Sequence, residues 1–520
     1  MSVFSSVQAN RPRRSSFNLS YEKKFDCDMG QLIPVMCDEV VPGDLFKIDN
    51  QVVCRLQPTL APILQEVSVF VHYFFVPYRL LDDSWESFIT GGTDGKDAYE
   101  LPTWKPTSVA RYSLWDYFGF PTGITPQDSF LPMKYPLYAY NYVYNEYYRD
   151  ENLQEEVSLD DESVKRRAWR KDYFTSALPW QQRGTSPALP LSGNASVNLS
   201  SLSIPTGQYL GYMDASLRSV KGMSVNDALY KDSLHDSGSS TYGYVLNSNS
   251  RDIKTGATTL NVTATAPVDV SNIATFDVSD LRLAFQVQKW MERNARSGVR
   301  YTEFLRSHFG VSPSDSRLQR PEYIGGSKSP MIVSEVLQTS QSSANSPQGT
   351  MAGHGIVAGE SHICKYHVTE FGVILGLLSI MPKASYQQGI NRQWLRRTRY
   401  DFYFPEFAHL SEQAVMNGEL YYQNSPTANS EIFGYQGRYD EMRCKSDMVC
   451  GALRDQLSYW HLGRIFDTPP KLNASFVECN PSKRIFAVQN VPGVIVDYAN
   501  IVTAVRPIPY SAEPGLIDHS

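Results

Sequence analysis

The amino-acid sequence predicts a mainly β protein, an antiparallel jelly roll interrupted by long loop and helical insertions. Segments with strand character concentrate in residues 17–80 and 361–520, and loops and helices fill the middle of the chain. Tyrosine and phenylalanine, which favour strands, contribute 32 and 24 of the 520 residues. Because loops leave a jelly roll at its ends, two distant groups of strands can complete one sheet system around a long excursion.

The chain begins with a polar, basic stretch and continues into strands. Residues 1–16 carry Arg11, Arg13 and Arg14 around a proline, so we expect a flexible basic N-terminal arm. Residues 17–80 are expected to hold the N-terminal strands of the jelly roll. The first three predicted strands are 17–25, 31–38 and 45–56, and a Pro-Gly-Asp turn separates the last two.

The most apolar of these segments is 65–76, QEVSVFVHYFFV, which Pro77 closes. Successive side chains of a strand point to opposite faces, and here both faces end in apolar residues. The segment therefore predicts a strand that is half-covered at its start and buried on both faces at its end. Such a strand needs neighbours at both edges, so we expect it to form one wall of the jelly roll.

The middle of the chain is predicted to be three insertions. Residues 81–183 read as inserted loops and helices, with a short helix at 80–89 and a tyrosine-rich helix at 137–152. Residues 184–275 are rich in Ser, Thr, Asn and Gly, and such long low-order connections are usually functional or disordered. Residues 276–360 are expected to form helices and loops, with helices at 276–294 and 301–309 that each end at a glycine.

Strands return near the end of the chain. Residues 361–520 are expected to supply the C-terminal strands of the jelly roll and a C-terminal extension. Aliphatic or aromatic residues dominate four segments of this part, and each is predicted to be a strand: 363–381, 399–404, 484–489 and 494–505.

Composition narrows the class of protein. The chain is 42% hydrophobic and carries a net charge of -6, which suits a folded protein, and no apolar run approaches the ~20 residues of a membrane helix. Seven cysteines are too few and too scattered for a disulfide framework, so folding in a reducing compartment with mostly buried thiols is expected.

Motifs for catalysis or cofactor binding are absent from the sequence. His362, Cys364 and His367 have the residue types of a zinc site but lack its spacing, and we interpret them as ordinary strand residues. No nucleophile elbow, phosphate loop or calcium loop is present. We therefore expect no enzymatic activity, no metal and no cofactor.

Three basic clusters are the candidate binding sites, and two of them are interleaved with aromatic residues. Arginine beside aromatic side chains suits unpaired nucleic acid, through phosphate contacts and base stacking. The same residue types are also favoured at protein–protein interfaces, so both interpretations stay open. The clusters are Arg11, Arg13 and Arg14; Lys165, Arg166, Arg167, Arg170 and Lys171 with Trp169, Tyr173 and Phe174; and Arg392, Arg396, Arg397 and Arg399 with Trp394 and Tyr400.

Four stretches closely resemble the major capsid protein of the microviruses, small single-stranded DNA bacteriophages, and in particular their gokushovirus branch. The stretches are 144–153 (YNEYYRDENL), 171–184 (KDYFTSALPWQQRG), 292–326 (ERNARSGVRYTEFLRSHFGVSPSDSRLQRPEYIGG) and 386–421 (YQQGINRQWLRRTRYDFYFPEFAHLSEQAVMNGELY). The resemblance extends from residue 17 to about 508, whereas nothing in 184–275 can be matched.

This resemblance implies an eight-stranded jelly roll of the viral capsid type, with no catalytic residues. Copies of the chain would form pentamers and an icosahedral shell around circular single-stranded DNA, assembled in the bacterial host cytoplasm. The implied phage partners are a small basic DNA-binding protein, an internal scaffolding protein and a DNA pilot protein. In gokushoviruses a long insertion protrudes at the threefold axes and is proposed to meet a host surface receptor, and 184–275 is the candidate here.

A net acidic subunit cannot neutralise packaged DNA uniformly. DNA contacts must then be concentrated in inner basic patches or supplied by a separate basic peptide. The first functional hypothesis is therefore a self-assembling capsid subunit of a virion. The alternative is an extracellular carbohydrate-binding or carbohydrate-active β protein, which abundant aromatic residues and loop insertions would also support.

Overall fold

The computed structural model describes residues 14–92, 98–105, 108–125, 127, 130–187, 212–213, 219–220, 278–337 and 351–511. Arg11, Arg13 and most of the 184–275 insertion lie outside the described residues. The chain forms two units, one made of Met1–Thr185 with Gln288–Ser520 and one made of Ser186–Val287.

The described strands and helices follow in chain order. The strands are β1 (Ser15–Asn18), β2 (Tyr21–Cys27), β3 (Leu32–Val40), β4 (Leu45–Leu56), β5 (Val67–Pro77), β6 (Tyr212–Met213), β7 (Ser219–Val220), β8 (Glu322–Pro330), β9 (Ile332–Leu337), β10 (Met351–His367), β11 (Gly372–Pro382), β12 (Ser385–Tyr386), β13 (Glu412–Met416), β14 (Ile432–Gly437), β15 (Asp447–Met448) and β16 (Val494–Arg506). The helices are α1 (Trp85–Thr90), α2 (Leu114–Tyr117), α3 (Tyr135–Val143), α4 (Val278–Ser297), α5 (Tyr301–Phe309), α6 (Asn417–Leu420), α7 (Pro426–Ser430), α8 (Asp440–Arg443) and α9 (Ala474–Val477).

Two antiparallel sheets face each other and confirm the predicted jelly roll. One sheet has the order β1-β16-β4-β10-β9, with β2 also paired to β16, and the other has the order β3-β11-β5-β8. The chain crosses repeatedly between the sheets: β2, β4, β10 and β16 lie in the first, and β3, β5 and β11 in the second. This crossing is how a jelly roll encloses its core.

The two sheets contain ten strands among the described residues, whereas eight were predicted. Two short strands account for the difference. β1 and β2 pair with consecutive parts of β16, and the Leu19 N–H donates to the Val502 carbonyl oxygen at 2.9 Å, so they are parts of one interrupted strand. β9 adds an outer edge beside β10.

β5 lies between β11 and β8 and is buried on both faces, as its sequence predicted. Val67, Val69, Val71, Tyr73 and Phe75 face the core between the two sheets. Phe74 and Val76 face a second core, between the outer face of the sheet and the insertion that follows β5. The strand therefore has packed material on each side, which explains why its sequence is apolar at both odd and even positions.

Four polar side chains are hydrogen-bonded inside the core between the sheets. The hydroxyl groups of Tyr73 on β5 and Tyr498 on β16 lie 2.7 Å apart, and the Asn50 amide donates to the Tyr498 hydroxyl at 2.8 Å. The Tyr73 hydroxyl donates to the Asn500 Oδ1 at 3.0 Å, and the Asn500 Nδ2 donates to the Val35 carbonyl oxygen at 2.9 Å. This set, named here the core polar cluster, joins both sheets through satisfied groups.

The two long excursions leave the jelly roll at opposite ends. β5 and β11 are antiparallel, with Pro77 opposite Gly372 and Val67 opposite Pro382. The excursion after β5 therefore starts at one end of the sheet, and the excursion after β11 starts at the other. The first covers the outer face of the sheet with α3 and its neighbours, and the second forms a third core with residues 169–177.

Residues 164–178 link these excursions and are named here the connecting segment. The Arg167 N–H donates to the Gly30 carbonyl oxygen at 2.8 Å, next to β3. The Trp169 N–H donates to the Val477 carbonyl oxygen at 2.7 Å, and Leu178 and Tyr435 exchange two backbone hydrogen bonds of 2.8 Å. Backbone hydrogen bonds therefore tie this segment both to the residues before β3 and to the excursion after β11.

Several segments differ from the sequence prediction. Residues 363–381 are two strands, β10 and β11, rather than one, and 399–404 and 484–489 contain 3-10 turns at Arg399–Asp401 and Lys483–Ile485 instead of strands. Aromatic and aliphatic residues raised strand propensity there, but among the described residues 399–404 pairs with no strand, and 484–489 forms only an isolated bridge between Phe486 and Thr59. β8 and β9 lie where only helices and loops were predicted, because Gly325, Gly326 and two serines mask the strand signal of β8.

Helical predictions hold better. α4, α5 and α3 fall within or close to the predicted helices, with a π-helical turn at Tyr144–Tyr148 extending α3. All seven cysteines are free, but only Cys27, Cys54 and Cys479 are fully buried. In the described part of the chain, no helix is long and apolar enough to span a membrane.

The core polar cluster generates a stability prediction. Replacing Asn500 by Ala would leave the Val35 carbonyl oxygen without its donor and the Tyr73 hydroxyl without its acceptor, both in the core. We expect a loss of about 2–4 kcal/mol in the free energy of unfolding, measured by chemical denaturation of the unassembled subunit. Thr503→Ala on the exposed side of β16 is the matched control and should change the free energy by less than about 0.5 kcal/mol. Equal losses in the two variants would contradict the role assigned to the cluster.

Candidate nucleic-acid interface

The basic cluster of the connecting segment makes intramolecular contacts. Lys165 is buried and pairs with Asp161 at 2.7 Å, and Arg166 donates to the carbonyl oxygens of Met29 at 3.0 Å and Cys479 at 3.3 Å. Lys171 pairs with Asp150. The aromatic residues interleaved with this cluster, Trp169, Tyr173 and Phe174, are all buried in the third core. They hold the connecting segment in place, and their ring faces do not reach solvent.

Two cations of this cluster, Arg167 and Arg170, contact residues on and beside β5. The Arg167 guanidinium donates to the Ser379 hydroxyl at 3.2 Å and stacks over Phe70, with 4.8 Å between its central carbon and the ring centroid. Arg170 is exposed and pairs with Glu66 at 3.2 Å. These two side chains lie at the outer surface of the sheet that contains β5.

The cluster 392–399 is divided in the same way between buried and exposed cations. Arg392 donates to the Glu419 carboxylate at 2.8 Å, and Arg396 donates to the Glu441 carboxylate at 3.3 Å. Both carboxylates are buried. Burial raises the pKa of Glu419, and the Arg392 charge opposes that shift. Arg392 and Arg396 therefore fasten this segment to the body of the protein.

Arg397 and Arg399 point away from the body together with a set of aromatic rings. Trp394 is 74% exposed and Tyr400 is 54% exposed, and the Arg399 guanidinium lies 4.9 Å from the Tyr400 ring centroid. Arg397 has no ion-pair partner among the described side chains. The exposed set, named here the aromatic-arginine surface, consists of Trp394, Arg397, Arg399, Tyr400, Phe402, Tyr403 and Phe404.

Local hydrogen bonds give this surface its shape. The Asp401 Oδ2 accepts from the backbone N–H groups of Thr398 at 2.6 Å and Arg397 at 2.9 Å, and these bonds lower the pKa of Asp401. The Tyr439 hydroxyl donates to the Phe402 carbonyl oxygen at 3.1 Å, and Arg438 donates to the Tyr400 carbonyl oxygen at 3.3 Å. The segment is thus held in consecutive 3-10 turns with its rings outward.

Exposed aromatic rings next to unpaired guanidinium groups can stack on bases and contact phosphates. The sequence identified Arg397, Arg399, Trp394 and Tyr400, but missed Phe402, Tyr403 and Phe404, which had been assigned to a strand. An uninterrupted aromatic run without alternating polar residues was the signal that could have separated an exposed turn from a half-buried strand. Arg14, the described residue of the N-terminal cluster, is exposed.

The described residues contain no group of three or more His, Cys, Asp or Glu side chains arranged to hold a metal ion. His362 instead contacts Asp49 on the neighbouring strand β4.

The two classes of arginine should respond differently to substitution. Arg392→Ala would leave the buried Glu419 carboxylate without its cation, and we expect a loss of about 2–4 kcal/mol in the free energy of unfolding. The loss should be smaller at acidic pH, because protonated Glu419 is easier to bury. Arg397→Ala, the matched control on the same segment, should lose less than about 0.5 kcal/mol. Denaturation curves of the two variants at neutral and acidic pH test this, and an equal loss in both would refute the division.

A family model and three relatives of this chain all indicate the same family. The family described as capsid protein (F protein) matches residues 5–516. Capsid protein VP1 of Chlamydia phage 1 is 36% identical over 591 residues, covering 99% of this chain and 97% of its own length. Capsid protein VP1 of Bdellovibrio phage phiMH2K is 32% identical, and that of Spiroplasma virus 4 is 29% identical, with at least 96% of either chain covered. The jelly roll and the near-complete coverage agree, and the chain belongs to the capsid (F) protein family of the microviruses, on its gokushovirus branch.

Proposed function

We propose that this chain is the major capsid protein that self-assembles into an icosahedral shell enclosing a circular single-stranded DNA genome. Membership in the capsid family over residues 5–516 carries the proposal and makes the chain a structural component of the virion rather than an enzyme. The jelly roll supports it, because two packed sheets with long excursions give a rigid body with large surfaces for neighbours. The carbohydrate-protein alternative is not retained, since no observation favours it over the capsid family.

Contacts between copies need large exposed apolar surfaces, and the body of the chain offers several. Around α4 and α5, Trp290, Tyr301, Phe309 and Val311 are exposed. Isolated chains rarely expose so many large apolar side chains close together, and such patches are usually interaction sites. We assign these residues to contacts between copies, in pentamers and around threefold axes.

Single-stranded DNA is the proposed ligand of the aromatic-arginine surface. Arg397 and Arg399 supply cations that have no carboxylate partner among the described residues, and the rings of Trp394, Tyr400 and Phe402 supply stacking surfaces. The N-terminal arm with Arg11, Arg13 and Arg14 is a second proposed contact. The net charge of -6 leaves much of the genome charge uncompensated, so a small basic DNA-binding protein is a proposed partner inside the shell.

Further proposed partners are an internal scaffolding protein and a DNA pilot protein of the phage, with assembly in the bacterial host cytoplasm. The 184–275 insertion is proposed to protrude at the threefold axes and to contribute to attachment to a host surface receptor. Its Ser/Thr/Asn/Gly-rich composition, unlike the rest of the chain, supports a separate role.

Assembly and DNA content can be tested together. The chain expressed with its phage partners should form shells in electron micrographs, with nuclease-protected single-stranded DNA inside. The double variant Arg397→Ala/Arg399→Ala should still form shells, because neither residue supports the fold. Its DNA should be released at lower salt, since each lost phosphate contact removes about 0.7 from the salt slope for single strands. A chain that stays monomeric in every condition would refute the capsid function. If the double variant released DNA at the same salt concentration as the unchanged chain, the aromatic-arginine surface would be assigned to contacts between subunits instead.

The role of the insertion is tested by shortening it. Replacing residues 190–270 by a short Gly/Ser linker should leave shell formation intact and reduce adsorption of particles to host cells about tenfold or more. Particle yield by electron microscopy and adsorption counts measure the two effects separately. Loss of shells in the shortened variant would refute a role limited to attachment and would indicate contacts around the threefold axis.

A further inference from the structure

A cluster of cations lies on the outward face of β5 and β8. Phe70 on β5 is directly opposite Lys328 on β8, and the Lys328 ammonium lies 5.7 Å from the Phe70 ring centroid. Arg167 of the connecting segment approaches the same ring at 4.8 Å. Arg170 follows three residues later and is 41% exposed. We name this surface the β5–β8 groove.

The charges in the β5–β8 groove do not balance. Glu66 is its carboxylate, and it receives both Arg170, at 3.2 Å, and Lys328, at 3.7 Å. Arg167 has no carboxylate partner among the described residues; its contacts are the Ser379 hydroxyl and the rings of Phe70 and Tyr148. Arg170 and Lys328 therefore share one carboxylate, and the third cation, Arg167, is partly buried without one among the described residues.

An unpaired, partly buried guanidinium is costly, because the lost hydration is not replaced by an opposite charge. Burial lowers the pKa of Arg167 accordingly. The neighbouring His72 adds no charge at neutral pH, since burial and then the Arg167 charge lower the pKa of His72 to about 4. Among the described residues the groove thus has one carboxylate, Glu66, for three cations, and an anion from outside the chain would balance the remaining charge.

We propose that the β5–β8 groove is a phosphate-binding site for a phosphodiester group of single-stranded nucleic acid. Guanidinium and ammonium groups from three different positions converge there, as phosphate recognition requires. Tyr323, 48% exposed and 5.8 Å from the His72 ring, offers an aromatic surface for an adjoining base. The site rests on the proposed enclosure of DNA, but it is separate from the surface assigned to DNA above.

Gly326 makes this arrangement possible on β8. It lies opposite His72 in the strand register, and a Cβ placed there would come 2.7 Å from the Tyr323 hydroxyl and 2.9 Å from the His72 ring. The absent side chain lets the Tyr323 ring lie against His72 instead of being pushed outward. An acidic peptide would satisfy the cations but would make no use of an exposed ring, so nucleic acid is the favoured ligand.

The test uses the full-length chain and a fluorescently labelled oligothymidylate, with affinity measured by anisotropy across a salt series. Lys328→Glu reverses an exposed charge without touching the core, and Lys365→Glu on β10, also exposed, is the matched control. We expect Lys328→Glu to weaken binding about tenfold and to reduce the salt slope, and Lys365→Glu to change binding less than about twofold. Arg167→Gln should weaken oligothymidylate binding in the same way, after circular dichroism has shown that the variant folds.

A second readout does not depend on variants. Ultraviolet crosslinking of the bound oligonucleotide, followed by mass spectrometry, should label Tyr323 in peptides containing residues 321–330. Absence of that label, together with unchanged affinity of Lys328→Glu, would overturn the site. The proposal would also be overturned if Lys328→Glu weakened binding of a polyglutamate peptide but not of the oligonucleotide. It would likewise be overturned if the protein bound inorganic phosphate but not the oligonucleotide.

Failure of this site and failure of the capsid function give different results. If shells form and enclose DNA while Lys328→Glu binds the oligonucleotide normally, the β5–β8 groove is not a phosphate-binding site, and the proposed function stands. If no shells form under any condition, the proposed function fails whatever the oligonucleotide binding shows.

Discussion

The core polar cluster is the constraint on which the arrangement of this chain depends. Asn50, Tyr73, Tyr498 and Asn500 exchange hydrogen bonds between residues up to 448 positions apart in sequence. A buried polar group must find its partner, and a shift of one residue in strand register would turn each of these side chains to the wrong face. The cluster therefore fixes β4, β5 and β16 relative to one another, where apolar packing alone would tolerate more than one alignment.

The long excursions pack outside the core between the two sheets. The excursion after β5 covers the outer face at the end of β5 around Phe74 and Val76 and the adjoining part of β11, and the buried arginine–glutamate pairs hold the excursion after β11. The cations of residues 392–399 consequently fall into two groups. Those near buried carboxylates maintain the fold, and those on outward surfaces remain available to ligands or other copies.

The sequence was sufficient for the fold class because its signals are local. Alternating or doubly apolar segments such as 65–76 and 494–505 predict strands whatever surrounds them. β8 was missed because it contains Gly325 and Gly326, which have low strand propensity and are needed there because a side chain would not fit. Residues 399–404 were assigned to a strand because strand propensity takes no account of whether a neighbouring strand is available. The site was harder to predict. Whether Arg392 or Arg397 is free depends on Glu419, which is distant in sequence, and no local pattern reveals that pairing.

The connecting segment has a mechanical consequence. Its backbone hydrogen bonds to Gly30 beside β3 and to Val477 and Tyr435 of the excursion after β11 join parts of the chain that leave the jelly roll at opposite ends. A force that pulls these parts away from each other would be carried by several peptide hydrogen bonds stretched together, in addition to side-chain packing. A subunit of a container under outward pressure would experience such tension, and these hydrogen bonds would resist it within each subunit.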